Sequence, residues 1–295
     1  MPIYLLSALL HLYVGWRLAP SLAAWPLAQG AFVLALAASA VLLPLGLLAR
    51  RRASGTRTDR LAWLGLVGMG LFSSLFVLTV LRDAALLLAV IVFAWRPAAL
   101  PVVALTQWTG VAAVALALLA TAVGYWNARR TAAVVRVDVP IDGLPGALNG
   151  FSIAQISDIH VGPTIRHGYL SAIVDRVNGL NADMVAITGD LVDGRVADLA
   201  PHVAPLAQLR SRHGSYFVTG NHEYYSGAQP WITELRRLGV RVLMNEHVVL
   251  DPAGDAGAAP LVLAGVADYM AHHFDPARAA GPPAAQRRGG GGRGL

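Results

Sequence analysis

"QISDIH", residues 155–160, begins as the end of a buried strand and changes character within two residues. Ile153 and Ile156 read as core positions, yet the chain then presents Asp158 and His160, with Gly162 and Pro163 forcing a turn just beyond. The surrounding sequence alternates short strands with helices. "FSIAQIS" (151–157) is read as a buried strand, and Tyr169 to Leu180 as a helix with Leu170, Ile173, Val174 and Val177 on one face. "DMVAIT" (183–188), "SYFVT" (215–219) and "VRVLM" (240–244) read as further strands, with helices near 199–210 and over 230–239 between them. This order implies βαβ units around a largely parallel sheet, in which the loops at the carboxyl ends of the strands gather into one crevice.

Three strand ends carry groups able to bind metal: "SDIH" (157–160), "TGDLVDG" (188–194) and "TGNHEYY" (219–225). Asp158 and His160, at i and i+2 of an extended segment, point to the same side and can hold one ion together. Asp190 follows Gly189 and can bridge two ions with its two oxygens, while Asn221 offers a neutral amide oxygen to the second. Carboxylate, imidazole and amide together suit Mn²⁺, Fe or Zn²⁺ better than Ca²⁺. Two such ions about 3.5–4 Å apart can clamp a phosphate and activate a water between them. His222 is then placed to stabilise or protonate the leaving oxygen. Each piece alone is commonplace, since Gly-Asp and Gly-Asn pairs often mark turns. Their joint occurrence, each on a strand end, points to a metal site.

The first 126 residues belong to a different kind of polypeptide. The chain of 295 residues is 56% hydrophobic, with long apolar runs confined to that portion. About 20 apolar residues are needed to cross a bilayer, and Leu27 to Ala49, Leu61 to Leu81 and Leu105 to Trp126 meet that length. Residues 2–16 and Ala84 to Trp95 are marginal, the latter giving only about 18 Å of helix. Trp16, Trp25, Trp95, Trp108 and Trp126 sit near the ends of these runs, where amphipathic rings prefer the interface. Arg82 and Asp83 read as a solvated loop at a helix end rather than a functional intramembrane pair, and His11 as a structural residue. The N-terminus lacks the basic leader and small-residue cleavage site of a signal peptide.

Arg50, Arg51, Arg52, Arg57 and Arg60 crowd one short loop, which favours a cytoplasmic position. The expected arrangement has both marginal segments crossing, so that five spans deliver the following domain to the extracytoplasmic side of the cell membrane. If Ala84 to Trp95 does not cross, the domain is cytoplasmic, the version that Arg129 and Arg130 favour. The net charge of +6 comes from the membrane portion and the tail, because residues 127–286 hold twelve Arg against fifteen acids. That balance argues against a nucleic-acid surface. The absence of Cys excludes thiolate zinc sites and Cys catalysis.

The series D-x-H, G-D-x-x-D and G-N-H-E resembles that of the calcineurin-like metallophosphoesterases, and "ISDIHVGPT" after a membrane region is similar to their membrane-attached bacterial branch. The resemblance covers residues 134 to about 275. It implies a multi-span α-helical membrane region (1–130, four or five helices) followed by an α/β metallophosphoesterase domain (131–280) of two packed mixed β-sheets flanked by helices. It assigns Asp158 and His160 to the first of two divalent metal ions, Asp190 to the bridge, Asn221 to the second ion and His222 to the leaving group. Asp193 and Glu223 become supporting residues.

The implied activity is hydrolysis of a phosphomonoester or phosphodiester at a cell membrane, with the bilayer and a lipid or envelope phosphate ester as partners. Two further His-bearing motifs of that family do not follow "LVLAGVADY" (261–269), and His247, His272 and His273 read as surface residues. The second sheet is accordingly expected to be incomplete, the second ion weakly held, and residues 281–295 a disordered or frameshifted tail. The opposing reading is a non-catalytic membrane protein carrying a degenerate phosphoesterase fragment.

Overall fold

The computed structural model describes residues 2–49, 56–94, 102–251 and 260–274. Two compact units divide the chain at Arg130. The expected tail, 281–295, and Trp95 lie outside the described residues.

The first unit consists of α1 (Pro2–Leu18), α2 (Pro26–Ala49), α3 (Thr56–Ala94) and α4 (Val102–Arg129). Helices satisfy their own backbone polar groups, which is the condition for crossing hydrocarbon. Among the described residues three stretches are long and apolar enough to do so: Pro26–Leu48, Thr58–Val92 and Val103–Arg129. Of the five Trp residues expected at span ends, the four that are described, Trp16, Trp25, Trp108 and Trp126, are exposed.

The expected third and fourth spans are one helix of 39 residues, without a break at Arg82 and Asp83. These two residues are not a solvated loop, because protein groups replace the water a loop would need. Arg82 is only 7% exposed. Its Nε donates to Thr109 Oγ1 at 3.1 Å and its Nη2 to the Thr106 carbonyl at 2.7 Å. Its Nη1 donates to Asp83 at 3.1 Å. Asp83 also receives Arg17 through two bonds of 2.7 and 2.8 Å, and the Tyr13 hydroxyl at 2.8 Å. A charge-assisted network thus joins α1, α3 and α4, and a desolvated guanidinium is tolerated only when so paired. His11 bridges helices too, bonding the Ser7 carbonyl at 2.7 Å and Ser39 Oγ at 3.0 Å.

Helices α2 and α3 meet at Gly46 and Gly65, where a Cβ on either would lie 2.7 Å from the other's Cα. Small residues let transmembrane helices approach closely. Gly65→Val is therefore expected to lower the unit's melting temperature in detergent, whereas Gly70→Val, with nothing within 4 Å of its Cβ position, leaves it unchanged. Equal melting of the two variants contradicts this contact.

The second unit is built on four parallel strands in the order β1 (Ile153–Ile156), β2 (Met184–Thr188), β3 (Ser215–Val218) and β4 (Arg241–Val242). Helices α5 (His167–Asn178), α6 (Val196–Val203) and α8 (Ala228–Arg237) supply the crossovers, while the short α7 (Asn221–Ser226) follows β3 directly. The anticipated face of α5 is buried: Leu170, Ile173, Val174 and Val177. It packs with Trp231, Ile232 and Leu235 of α8 on Val185, Ile187 and Phe217, all on one side of the sheet. Alternate residues of the same strands, Met184 and Tyr216, face the other side and pack on Val248 and Leu250. These belong to a second sheet of two antiparallel strands, β5 (Glu246–Leu250) and β6 (Leu261–Gly265). A four-residue helix, α9 (Ala271–Phe274), follows.

Two local readings need correction. β1 is an edge strand rather than a fully buried one, so Ile156 is in the core while Ile153 stays 54% exposed. The segment 134–140, "VVRVDVP", alternates apolar and polar residues as a strand with one wet face would, yet it is neither helix nor strand and is exposed on both faces. A strand requires a ladder partner, and among the described residues none is present.

Candidate metal centre

The three strand ends converge because each loop is stitched to the next. The β1 and β2 loops run as a short parallel zipper: His160 N–H donates to the Asp190 carbonyl at 3.0 Å, Val161 N–H to Leu191 at 2.8 Å, and Asp193 N–H to Val161 at 2.8 Å. The β2 and β3 loops share a buried carboxylate. Glu223, 1% exposed, accepts the backbone N–H of Gly220 at 2.7 Å, Leu191 at 2.8 Å and Asp190 at 3.0 Å. Burial pushes the Glu223 carboxyl above its ordinary range, while these three donors pull the other way.

Contact between the two loops requires glycine at both positions. Gly189 has φ +82°, and a Cβ there would lie 2.4 Å from Gly220 N; one on Gly220 would lie 2.2 Å from Asp190 Oδ1. Asp158, His160 and Asp190 all have left-handed backbones, at φ 56°, 53° and 51°. Each such residue costs on the order of 1 kcal/mol or more and persists only where its surroundings impose it. Here that conformation turns three polar side chains off extended strands toward one place.

His160, Asp190 and His222 each offer a ligand atom within 4.8 Å of the others. His160 Nε2 stands 4.0 Å from Asp190 Oδ2 and 3.9 Å from Asp158 Oδ1. Asp193 receives Nδ1 of both imidazoles, 3.2 Å from His160 and 2.5 Å from His222. Burial would raise the Asp193 carboxyl, but the hydrogen bonds from His222 and His160 and the nearby charges hold it below its ordinary range. With both Nδ1 atoms engaged, the Nε2 atoms are left to act as ligands or acids. Asp190 Oδ1 also accepts the His222 backbone N–H at 3.0 Å.

Asn221, the first residue of α7, sets its amide against this carboxylate. With the nitrogen inward, it donates to both Asp190 oxygens at 3.1 Å. With the oxygen inward, acceptors face one another with no proton between them, an arrangement that suits a shared cation. The donor set of carboxylates, imidazole nitrogens and an amide oxygen fits Mn²⁺, Fe or Zn²⁺.

All seven residues singled out from the sequence therefore lie on the three strand-end loops or the first turn of α7. Asp158 is the outlying one, mostly exposed, with its carboxylate held by Ser157 Oγ. His247 lies on β5, and His272 and His273 on α9; none joins the ligand group. Two neighbours were missed. Tyr225, an exposed ring 5.7 Å from the His222 ring, follows the G-N-H-E series without belonging to it. Trp231 donates its indole N–H to the Gly194 carbonyl at 2.8 Å and anchors the far end of the β2 loop. Only its large apolar ring, which needs a partner for its N–H when buried, hinted at such a role.

A parallel sheet whose strand-end loops gather carboxylates, imidazoles and an amide is an α/β domain with a group of side chains that could hold a metal ion. Residues 151–274 match the family described as calcineurin-like phosphoesterase. Over 137 residues, 45% of this chain, it is 44% identical to a Danio rerio transmembrane protein with metallophosphoesterase domain, and that stretch is 31% of the relative. A Bos taurus protein of the same description is 44% identical over 143 residues, covering 48% of this chain and 32% of its own. An uncharacterized metallophosphoesterase of Helicobacter pylori is 39% identical over 119 residues, 40% of this chain and 30% of that one. The matched stretch thus spans about a third of the length of these relatives. No solved structure matches the chain.

Glu223→Gln replaces an accepting oxygen with an amide that meets backbone N–H groups head on. Leaving such donors unsatisfied in the interior is expected to cost about 3 kcal/mol, read as a lower melting temperature of the intact chain. Unchanged stability would show that the loops are held together by other bonds.

Proposed function

We propose that this chain is a membrane-anchored, metal-dependent phosphoesterase that hydrolyses a phosphate mono- or diester near the bilayer. The observation that carries the reading is the convergence of His160, Asp190 and His222 around Asp193, with Asp158 and Asn221 flanking them. Asp158, His160 and Asp190 would hold one divalent ion, and Asp190 with Asn221 a second. Bound there, such ions polarise a phosphoryl oxygen and make a water acidic enough to attack near neutral pH. Asp193 fixes the tautomer of both imidazoles. His222, with its Nδ1 engaged by Asp193, keeps Nε2 to give a proton to the leaving oxygen.

The second ion has few ligands here. Among the described residues a single group of three donors stands together, and on the Asn221 side only a carboxylate and an amide are available. One ion held well and one held weakly is the expected state of this chain, with slow turnover. The same observation favours a second reading, in which the domain binds a metal or a phosphate ester without hydrolysing it.

Purified in detergent with Mn²⁺, the chain is expected to retain about one ion and to hydrolyse an aryl phosphodiester slowly. Asp190→Asn should abolish both, while His222→Gln should keep the metal and slow turnover by roughly 10². Undiminished turnover in both variants rejects these roles, metal loss from His222→Gln makes His222 a ligand, and binding without any Asp190-dependent turnover supports the second reading.

The location proposed for the domain is cytoplasmic rather than extracytoplasmic. Support comes from the unbroken α3, which removes one crossing from the five-span count, and from Arg129 and Arg130 after the last helix. A reporter active only outside the membrane should stay silent when fused after Arg130; a strong signal restores the five-span count.

A further inference from the structure

The charged cluster of the helical unit carries one more positive charge than that unit can neutralise. Asp83 is fully engaged, accepting four hydrogen bonds from Tyr13, Arg17 and Arg82. Two guanidiniums thus share one carboxylate. The first 130 residues contain two acids, Asp59 and Asp83. Asp59 stands on the same helix about 36 Å before Asp83, so no second carboxylate of this unit reaches the pair. Arg17 is the open member of the cluster. Its side chain is 33% exposed, and it spends Nε and Nη2 on Asp83 while a guanidinium has five N–H donors.

The depth of the cluster suits a lipid headgroup. Two aromatic pairs mark two levels of the unit. Trp63 and Tyr125 lie 6.2 Å apart near Arg60 and Arg129, and Trp25 and Trp108 lie 6.4 Å apart beside Thr106 and Thr109, which hold Arg82. Such rings prefer the membrane–water interface. From Arg60 to Arg82 the helix rises about 33 Å, close to the roughly 30 Å of a bilayer's hydrocarbon. Arg17 and Arg82 therefore stand at the level of lipid phosphates.

Beside them is room for a lipid tail. A cavity of about 390 Å³ is lined by Leu22, Phe32, Ala35, Leu36, Leu75 and Val114. Ser39 borders it too, with its hydroxyl bonded to His11. The cavity adjoins the cluster. Leu22 follows Ser21, whose hydroxyl donates to the Thr106 carbonyl at 3.4 Å, the same carbonyl that accepts Arg82 Nη2. Leu75 and Arg82, two turns apart, share one face of α3.

We propose that this unit holds one anionic phospholipid, with its phosphate on the guanidinium of Arg17, backed by Arg82, and an acyl chain in the cavity. An anion completes the charge balance, and an apolar cavity takes hydrocarbon rather than water. A second copy of this chain fits less well, because a two-fold contact would bring the same excess of positive charge to both sides.

Native mass spectrometry of the full chain, stripped of lipid in detergent and titrated with phosphatidylglycerol, identifies the occupant by its mass. One phosphatidylglycerol per chain is expected, bound about fivefold more tightly than phosphatidylcholine, the preference that one arginine at a membrane surface confers. Arg17→Gln should level the two lipids, and Arg17→Lys should keep the preference. Ala35→Trp fills the cavity from an exposed position and leaves the cluster intact. It should weaken both lipids while the lipid-free chain melts no lower than before. Diacylglycerol, which has the tails without the phosphate, should bind less well than phosphatidylglycerol. Equal affinity for phosphatidylglycerol and phosphatidylcholine, a preference that survives Arg17→Gln, or lipid binding indifferent to Ala35→Trp overturns the proposal. So does a dimer that Ala35→Trp dissolves, since a second copy would then occupy the cavity.

Discussion

The carboxylate of Glu223 is the constraint on which the site depends. It takes the backbone N–H groups of Asp190, Leu191 and Gly220, and so fixes the end of β2 against the end of β3. That closeness is sterically possible only because Gly189 and Gly220 present no Cβ to each other. Once the loops touch, Asp190 can cap α7 with one oxygen while its other faces His160, and Asn221 is brought against the same carboxylate. A buried carboxyl that binds no ligand thereby decides where the ligating ones stand.

Asp193 plays the corresponding part for the imidazoles. By accepting Nδ1 of both His160 and His222 it sets two rings nearly perpendicular, 4.5 Å apart at their centroids. Its carboxyl remains acidic in spite of burial because those bonds favour the charged form. The left-handed backbones of Asp158, His160 and Asp190 are maintained by the loop zipper, which returns the hydrogen bonds those residues could not find in a regular strand.

What was legible in the sequence was local. The apolar face of α5 follows from a 3.6-residue period, and the convergence of 158, 190 and 221 follows from a parallel sheet whose strands all end on one side. What depended on distant partners was not legible. Arg82 and Asp83 look like a loop until Tyr13, Arg17, Thr106 and Thr109 surround them, 24 or more positions away in sequence. Ile153 looks like core until β1 proves to be an edge. The same limit applies to 134–140, where alternation signals a strand but cannot say what it pairs with.

The helical unit and the domain that matches the phosphoesterase family are each internally satisfied: one pairs a buried guanidinium among apolar helices, the other gathers charged side chains at strand ends. The account rests most on the claim that His160 and Asp190 together hold a divalent ion. Electron paramagnetic resonance of Mn²⁺ bound to the full chain tests it directly, because an imidazole ligand couples its nitrogen to the metal spin. The account predicts a bound-Mn²⁺ signal whose nitrogen coupling is lost in His160→Gln, which vanishes with the bound metal in Asp190→Asn, and which is untouched in His247→Gln. A nitrogen-coupled signal that survives the loss of both His160 and Asp190 would contradict it.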